Sequence, residues 1–320
     1  MEKEKKKLIK KLGKFIPLIG IALFIFLIYD IGFEKIFNAF KLIPIQYYVL
    51  AFLPFFPKVI LKSYKWLIIC KKQKIDIKLS YLIKLSLISL YYANITPGGI
   101  GSYLKIFYLK KKSKTSLEKC IVNTLLNNAA GAIVGFLLAF TGSVILIDRV
   151  PGLPPVIFAF FVFYTLAFIT FMKKSRGNKA FRYLIRPLIP NRYKAKFDKS
   201  IDSLYQDIPK IRDLFSPMLI DVILWFINGL QVYFIALAFS IEIPFFIFIL
   251  ISIISVIAVT MLPISFGGLG VREGTFIVLL ASYGVANEIA FVISFSAYLV
   301  KNLVPGIIGM YFSLKKDFIL

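Results

Sequence analysis

Lys105, Arg272, Glu273 and Lys301 are the side chains whose type and setting could do chemistry, and that chemistry is the holding of an anion. Lys105 and Arg272 each follow a glycine-broken loop that interrupts apolar sequence. These loops are Pro97-Gly98-Gly99-Ile100-Gly101 and Pro263-Ile264-Ser265-Phe266-Gly267-Gly268-Leu269-Gly270. A half-helix is expected after each, from about Ser102 and about Val271, and the free N–H groups and positive dipole end at such a start favour negative charge. A cation in the first turn opposes that dipole unless a negative ligand or partner balances it; Glu273 is the partner within reach of Arg272. Gly98, Gly99, Gly101, Gly267, Gly268 and Gly270 allow positive φ and close backbone approach. Lys301 lies about 14 residues into a long apolar run, roughly 20 Å from either end at about 1.5 Å per residue, which is beyond easy snorkelling. Asn302 adjoins it, and Pro305 bends the same helix. The predicted substrate-binding set is Gly98, Gly99, Gly101, Ser102, Lys105, Gly267, Gly268, Gly270, Arg272, Glu273 and Lys301. The structural alternatives are glycines that only let hairpins fit together and a Lys301 paired with Glu273 or with carbonyls freed by Pro305.

The elements that must position these residues are membrane helices. Of 320 residues 59% are hydrophobic, and the mean hydropathy is +0.81. Runs such as Phe15 to Tyr29, Val156 to Met172 and Phe245 to Leu262 mark a polytopic helical membrane protein. Forty Lys and Arg against sixteen Asp and Glu give a net charge of +24. The lysines cluster beside apolar spans, where cytoplasmic retention and anionic headgroups account for them better than nucleic acid does. The charged start, Glu2 to Lys14, precedes an apolar run without a small-residue cleavage site, so a retained first span is expected. No histidine is present, and Cys70 and Cys120 form no CxxC pair. Neither a catalytic residue, a metal site nor a cofactor is expected.

Positive charge orders the spans. Span 1 (about 15–29) leaves a cytoplasmic N-terminus. Span 2 (about 44–61) returns to Lys62, Lys65, Lys71, Lys72, Lys74 and Lys78. The segment 79–109 carries lysines at both ends, as a re-entrant hairpin turning at Pro97 to Gly101 would. Span 3 (about 118–147) goes out and span 4 (about 153–172) returns to a basic loop, 173–215, with an interfacial helix expected near 194–211. Span 5 (about 217–240) goes out, the segment 244–283 forms a second hairpin from outside, and span 6 (about 287–314) returns to Lys315 and Lys316. Both termini are then cytoplasmic. Asn123, Asn127 and Asn128 form a polar stripe that reads as glue between helices, and Asp221 reads as interfacial.

The predicted fold is thus an all-α membrane protein of six full spans and two re-entrant hairpins, in one membrane domain spanning 1–320. Its halves, 44–147 and 217–314, have opposite topology. Backbone breaks at membrane depth need shielding from lipid, and paired broken segments in inverted halves mark a transport site near the bilayer midplane.

The second loop, from Pro263 through Val271, Arg272, Glu273 and Gly274, resembles the signature of the lysylphosphatidylglycerol synthase transmembrane (flippase-like) family. Thr96 to Lys105 is similar to its other motif, with Ser102 where relatives often carry an acid and Lys105 in place of an arginine. Asn127 and Asn128 stand where a Glu-Arg pair is common. The likeness covers nearly the whole chain. It implies a membrane unit that moves a lipid across the bilayer beside a separate lipid-modifying domain. The expected function is translocation of a lipid with an anionic phosphate headgroup, or of a polyprenyl phosphate, by alternating access in a prokaryotic cell membrane. Membrane lipids are the expected partners, nucleic acid is not, and an oligomer is compatible. A small-anion transporter or channel is the alternative, and a lipid-modifying enzyme or accessory subunit the second.

Overall fold

The structure is a computed structural model describing residues 18–184, 186–189, 194–195, 198, 201, 203–205, 208–315 and 318. In chain order the helices are α1 (Leu18–Ile31), α2 (Phe33–Lys41), α3 (Ile45–Phe52), α4 (Phe55–Lys72), α5 (Leu79–Asn94), α6 (Lys105–Ser113), α7 (Leu117–Ile145), α8 (Leu153–Met172), α9 (Lys174–Leu184), α10 (Phe215–Ala236), α11 (Phe245–Met261), α12 (Val271–Ala281), α13 (Asn287–Tyr298) and α14 (Val304–Ser313). No strand forms among the described residues. The protein is an all-helical membrane protein.

Among the described residues five helical stretches are long and apolar enough to cross a bilayer: Ile45–Lys72, Leu117–Ile145, Leu153–Met172, Ile211–Phe239 and Asn287–Ser313. They coincide with spans 2 to 6 of the sequence reading. The region of span 1 contains the shorter apolar helix α1. Span 2 needs correction: the helix does not end near residue 61 but runs to Lys72, so Lys62 and Lys65 lie inside it and not beyond its end. Of the helix expected near 194–211, residues 196, 197, 199, 200, 202, 206 and 207 lie outside the described residues; Lys194, Ala195, Asp198, Ile201, Ser203 and Leu204 are helical, Ile201 is buried, and Leu204 and Ile208 pack against the buried cluster that contains Phe168 and Leu214.

Each glycine-broken segment doubles back. In the second, the 17-residue α11 turns at 262–270 and packs against the 11-residue α12. In the first, the 16-residue α5 is followed by a 3-10 turn, Ile100–Leu104, and then the nine-residue α6, both packed against α5. At about 1.5 Å per residue an arm of 9–17 residues covers only part of a hydrocarbon core of about 30 Å.

Local chemistry explains several ends. Ser116 caps α7, its Oγ accepting the Lys119 N–H, and Pro154 starts α8, where a missing N–H costs nothing. Pro305 lacks the N–H that would bond to the carbonyl four residues earlier, and α13 passes into α14 through a π-helical turn, Leu299–Leu303, that holds Lys301. The Asn94 amide of α5 donates to the Asn302 carbonyl at 2.8 Å, which satisfies backbone that the irregular turn exposes. Gly306 and Gly309 bring α14 onto α5; a Cβ on Gly309 would stand 2.0 Å from the Leu87 carbonyl oxygen. The main apolar core gathers where α7, α10, α11, α12 and α13 meet, around Phe136, Phe248, Phe276 and Phe291. Leu137, Phe158, Phe163, Leu166 and Leu219 are exposed, as a lipid-facing surface requires.

Candidate functional site: a basic cavity where the two broken loops meet

The two loops touch. Pro97 and Phe266 form an isolated antiparallel bridge, and Gly98 donates its N–H to the Ser265 carbonyl at 3.0 Å. Gly98 holds φ +58°, and a Cβ there would meet Pro263 at 3.0 Å, so glycine serves both the turn and the close approach. Gly268 (φ +81°) and Gly270 (φ +83°) do the same in the second loop, against Val259 and against the Gly20 carbonyl of α1.

Several backbone N–H groups at the helix starts have partners within the protein. Gly101 donates to Thr96 Oγ1 at 2.7 Å, Ser102 to the Gly99 carbonyl at 3.0 Å, and Gly270 to Glu273 Oε2 at 2.7 Å. Glu273, fully buried, thus caps α12, supplying the negative charge that the dipole favours. Its other oxygen accepts Arg272 Nε at 3.1 Å and Nη2 at 2.5 Å. Arg272 Nη1 donates to the Gly267 carbonyl at 3.1 Å, and the guanidinium stacks 4.4 Å over the Tyr298 ring. The expected Arg272–Glu273 partnership is present. Its effect is to brace the second loop with the whole planar fork engaged.

Beside the loops lies a cavity of about 480 Å³. Gly98, Gly99 and Ser102 line it from the first loop and Lys301 with Asn302 from the π-turn. The remainder of its charge comes from residues that sequence reasoning did not select. Lys58, Lys62 and Lys65 project from α4, and Asp221 from α10. A second space of about 120 Å³, lined by Gly267, Arg272 and Tyr298, shares Asn228, Lys301 and Asn302 with it. The structure therefore brings Gly98, Gly99, Ser102 and Lys301 to one cavity, and Gly267 and Arg272 to its neighbour. Gly101, Lys105, Gly268, Gly270 and Glu273 line neither. Buried Lys105 donates to Asn128 Oδ1 at 2.9 Å and lies 5.0 Å over Trp66, so it orients a cavity-lining amide.

Asp221 corrects another expectation. It is buried, not interfacial, and accepts the buried Lys65 ammonium at 2.9 and 3.2 Å; Lys65 also donates to the Asn127 carbonyl at 3.0 Å. This pair is closed: losing one partner leaves an uncompensated buried charge, worth about 3–5 kcal/mol. The other lysines differ. Lys58 donates only to neutral amide oxygens, Asn228 Oδ1 at 3.4 Å and Gln231 Oε1 at 2.5 Å. Lys62, exposed at the cavity rim, and Lys301, about nine-tenths buried, have no hydrogen bond or ion pair among the described residues. The pairing of Lys301 with Glu273, one alternative above, does not form, because Arg272 occupies that carboxylate. Four cavity lysines face one aspartate already paired.

The missed signal was periodicity. Lys58, Lys62 and Lys65 fall at i, i+4 and i+7, one helical face, and so read as a functional stripe once the helix is known to continue past residue 61. Asn123 does act as glue, its Oδ1 accepting Trp66 Nε1 at 2.6 Å and its Nδ2 donating to Gln73 at 2.8 Å. Asn127 and Asn128 line the cavity instead.

Among proteins similar to this chain, a UPF0104 membrane protein of Pyrococcus horikoshii is 24% identical over 322 residues, covering 93% of this chain and 95% of its own length. Another, from Methanothermobacter thermautotrophicus, is 22% identical over 305 residues, with 88% of each covered. The family described as the lysylphosphatidylglycerol synthase TM region matches residues 15–309. The cavity and both broken loops lie within that match, and the chain belongs to the lysylphosphatidylglycerol synthase transmembrane family.

Proposed function

We propose that the protein is a lipid translocase that moves a lipid with an anionic phosphate headgroup between leaflets of a prokaryotic cell membrane. The observation that carries the reading is the basic cavity at the junction of the two loops, where Lys58, Lys62 and Lys301 have no carboxylate partner. An ammonium without a counter-charge within a membrane protein is costly, and a cavity that gathers three of them marks a ligand of opposite charge. The volume of about 480 Å³ suits a headgroup and not a whole two-chain lipid, whose tails would stay in the bilayer. Lys62, Tyr103 and Thr260 are exposed at the cavity margin, so the space is open there.

Alternating access follows from how the loops meet. Among the described residues the backbone pairing between them is a single bridge with one hydrogen bond, net worth about 1 kcal/mol, beside the close approach of Gly98 to Pro263. Such a seam separates and reforms without unfolding either hairpin, which exposes the cavity first to one face and then to the other. Lysines and amides hold the headgroup; no acid, base or metal step is involved, so the chain acts as a transporter and not as an enzyme. The termini face the cytoplasm.

The test is transbilayer exchange. Purified protein in liposomes is expected to accelerate movement of a labelled anionic phospholipid without changing its mass. Covalent modification of that lipid by this chain alone, or passage of inorganic phosphate with no lipid movement, would overturn the assignment.

A further inference from the structure

The charge inventory of the cavity says more than that its ligand is anionic. Lys65 and Asp221 neutralise one another, leaving Lys58, Lys62 and Lys301 as cations without a carboxylate. Lys58 and Lys62 are one helical turn apart on the same face of α4, about 6 Å along its axis, so two ammonium groups can bracket one phosphate. Lys301 reaches the same space from the π-turn, nine-tenths buried and with no partner among the described residues. A phosphodiester headgroup brings one negative charge and balances one lysine. A terminal phosphomonoester brings about 1.5 to 2 near neutral pH, and a diphosphate brings more. An aminoacylated headgroup adds a cation where Asp221, the only carboxylate among the described lining residues, is already occupied. Amides complete the site: Asn127, buried, has an unpartnered Oδ1, and the Asn302 side chain lines both spaces.

On the lipid-translocation reading, we propose that the cavity selects a lipid ending in a phosphomonoester or diphosphate over a phosphodiester or an aminoacylated headgroup. Three convergent ammonium groups from α4 and the π-turn set the preference, because only a polyvalent phosphate removes most of their mutual repulsion.

The experiment measures binding to the full-length protein in neutral detergent by native mass spectrometry, and separately its transport in liposomes. Probes are dioleoyl phosphatidate, a polyprenyl monophosphate, dioleoyl phosphatidylglycerol, lysyl-phosphatidylglycerol, and free phosphate and pyrophosphate. The monophosphate lipids are expected to bind at least about tenfold tighter than phosphatidylglycerol, with lysyl-phosphatidylglycerol weakest. Lys301→Met and Lys62→Met should each shrink that ratio severalfold, while Lys179→Met in α9 leaves it unchanged. Lys62 is exposed, so its variant tests the idea even if the Lys301 variant fails to fold. Equal binding of phosphatidate and phosphatidylglycerol, or ratios unmoved by Lys62→Met, would overturn the proposal. So would competition by free pyrophosphate as strong as that by the lipids, which would assign the site to a soluble anion. Selective binding without transbilayer movement would retain the selectivity and overturn the translocase. Movement without selectivity would do the reverse.

Discussion

Lys65 and Asp221 form a buried ion pair at 2.9 Å that ties α4 to α10 across the cavity wall. Gly131 of α7 makes room for it, since a Cβ there would lie 3.1 Å from Asp221 Oδ1. The pair takes one lysine out of the cavity's uncompensated charge and leaves the lysines one and two turns away without a carboxylate.

Breaking this pair on one side should be worse than removing it whole. Asp221→Ala is expected to destabilise by about 3–5 kcal/mol, and Lys65→Met with Asp221→Leu to recover most of that loss. Apparent melting temperatures in one detergent decide it; a double variant as unstable as the single one would refute the account.

Arg272→Lys keeps the charge but not the fork that reaches Glu273 and Gly267 together. Lipid movement should fall about tenfold with expression and insertion near normal. Glu273→Gln should be at least as damaging, since it also weakens the cap on Gly270. Flux assays across the three proteins, with Lys179→Ala as a control, provide the check.

If the loops part during transport, tying them should stop it. Pro97 and Phe266 are paired across an antiparallel bridge of the narrow kind, about 4.5 Å between Cα atoms and within disulfide range. Pro97→Cys with Phe266→Cys is expected to crosslink under oxidant and to lose lipid movement, which returns when reduction breaks the crosslink. Full activity of the crosslinked protein would remove the alternating-access step.

Close helix approach predicts a graded glycine series. Gly309→Val should separate α14 from α5 and destabilise by about 1–3 kcal/mol or more, because backbone of Leu87 stands where the side chain would go. Gly152→Ala meets nothing within 4 Å and should change stability by less than about 0.5 kcal/mol. Thermal denaturation ranks the two.

Orientation is open to labelling. Cysteines replacing Lys74 and Lys112 should react only from the cytoplasmic side, and those replacing Gly152 and Asn287 only from the other. Native Cys70 and Cys120 are buried and free, so they contribute little background. Lys74 and Lys112 reacting from opposite sides would dismantle the first hairpin.

The sequence by itself determined the class, the positions of four of the five long helices with the start of the other, Ile45–Lys72, and the two places where backbone breaks. Composition and run length suffice for the first two, and Pro97 to Gly101 and Pro263 to Gly270 announce the third through residues that cannot continue a helix. It also paired Arg272 with Glu273, which are adjacent in the chain. Only tertiary structure decided which charges share a cavity. Lys58 and Lys62 lie on α4, in the first of the long helical stretches, and Lys301 near the end of the chain, and their convergence depends on how α4 and the π-turn are packed around the first loop. The same holds for Asp221: a lone acid near a helix end reads as interfacial until the partner 156 residues away is seen to reach it. Local pattern carries spacing along one helix, but the meeting of distant helices is set by which small residues, such as Gly131 and Gly309, let backbones approach, and no single-helix periodicity encodes that.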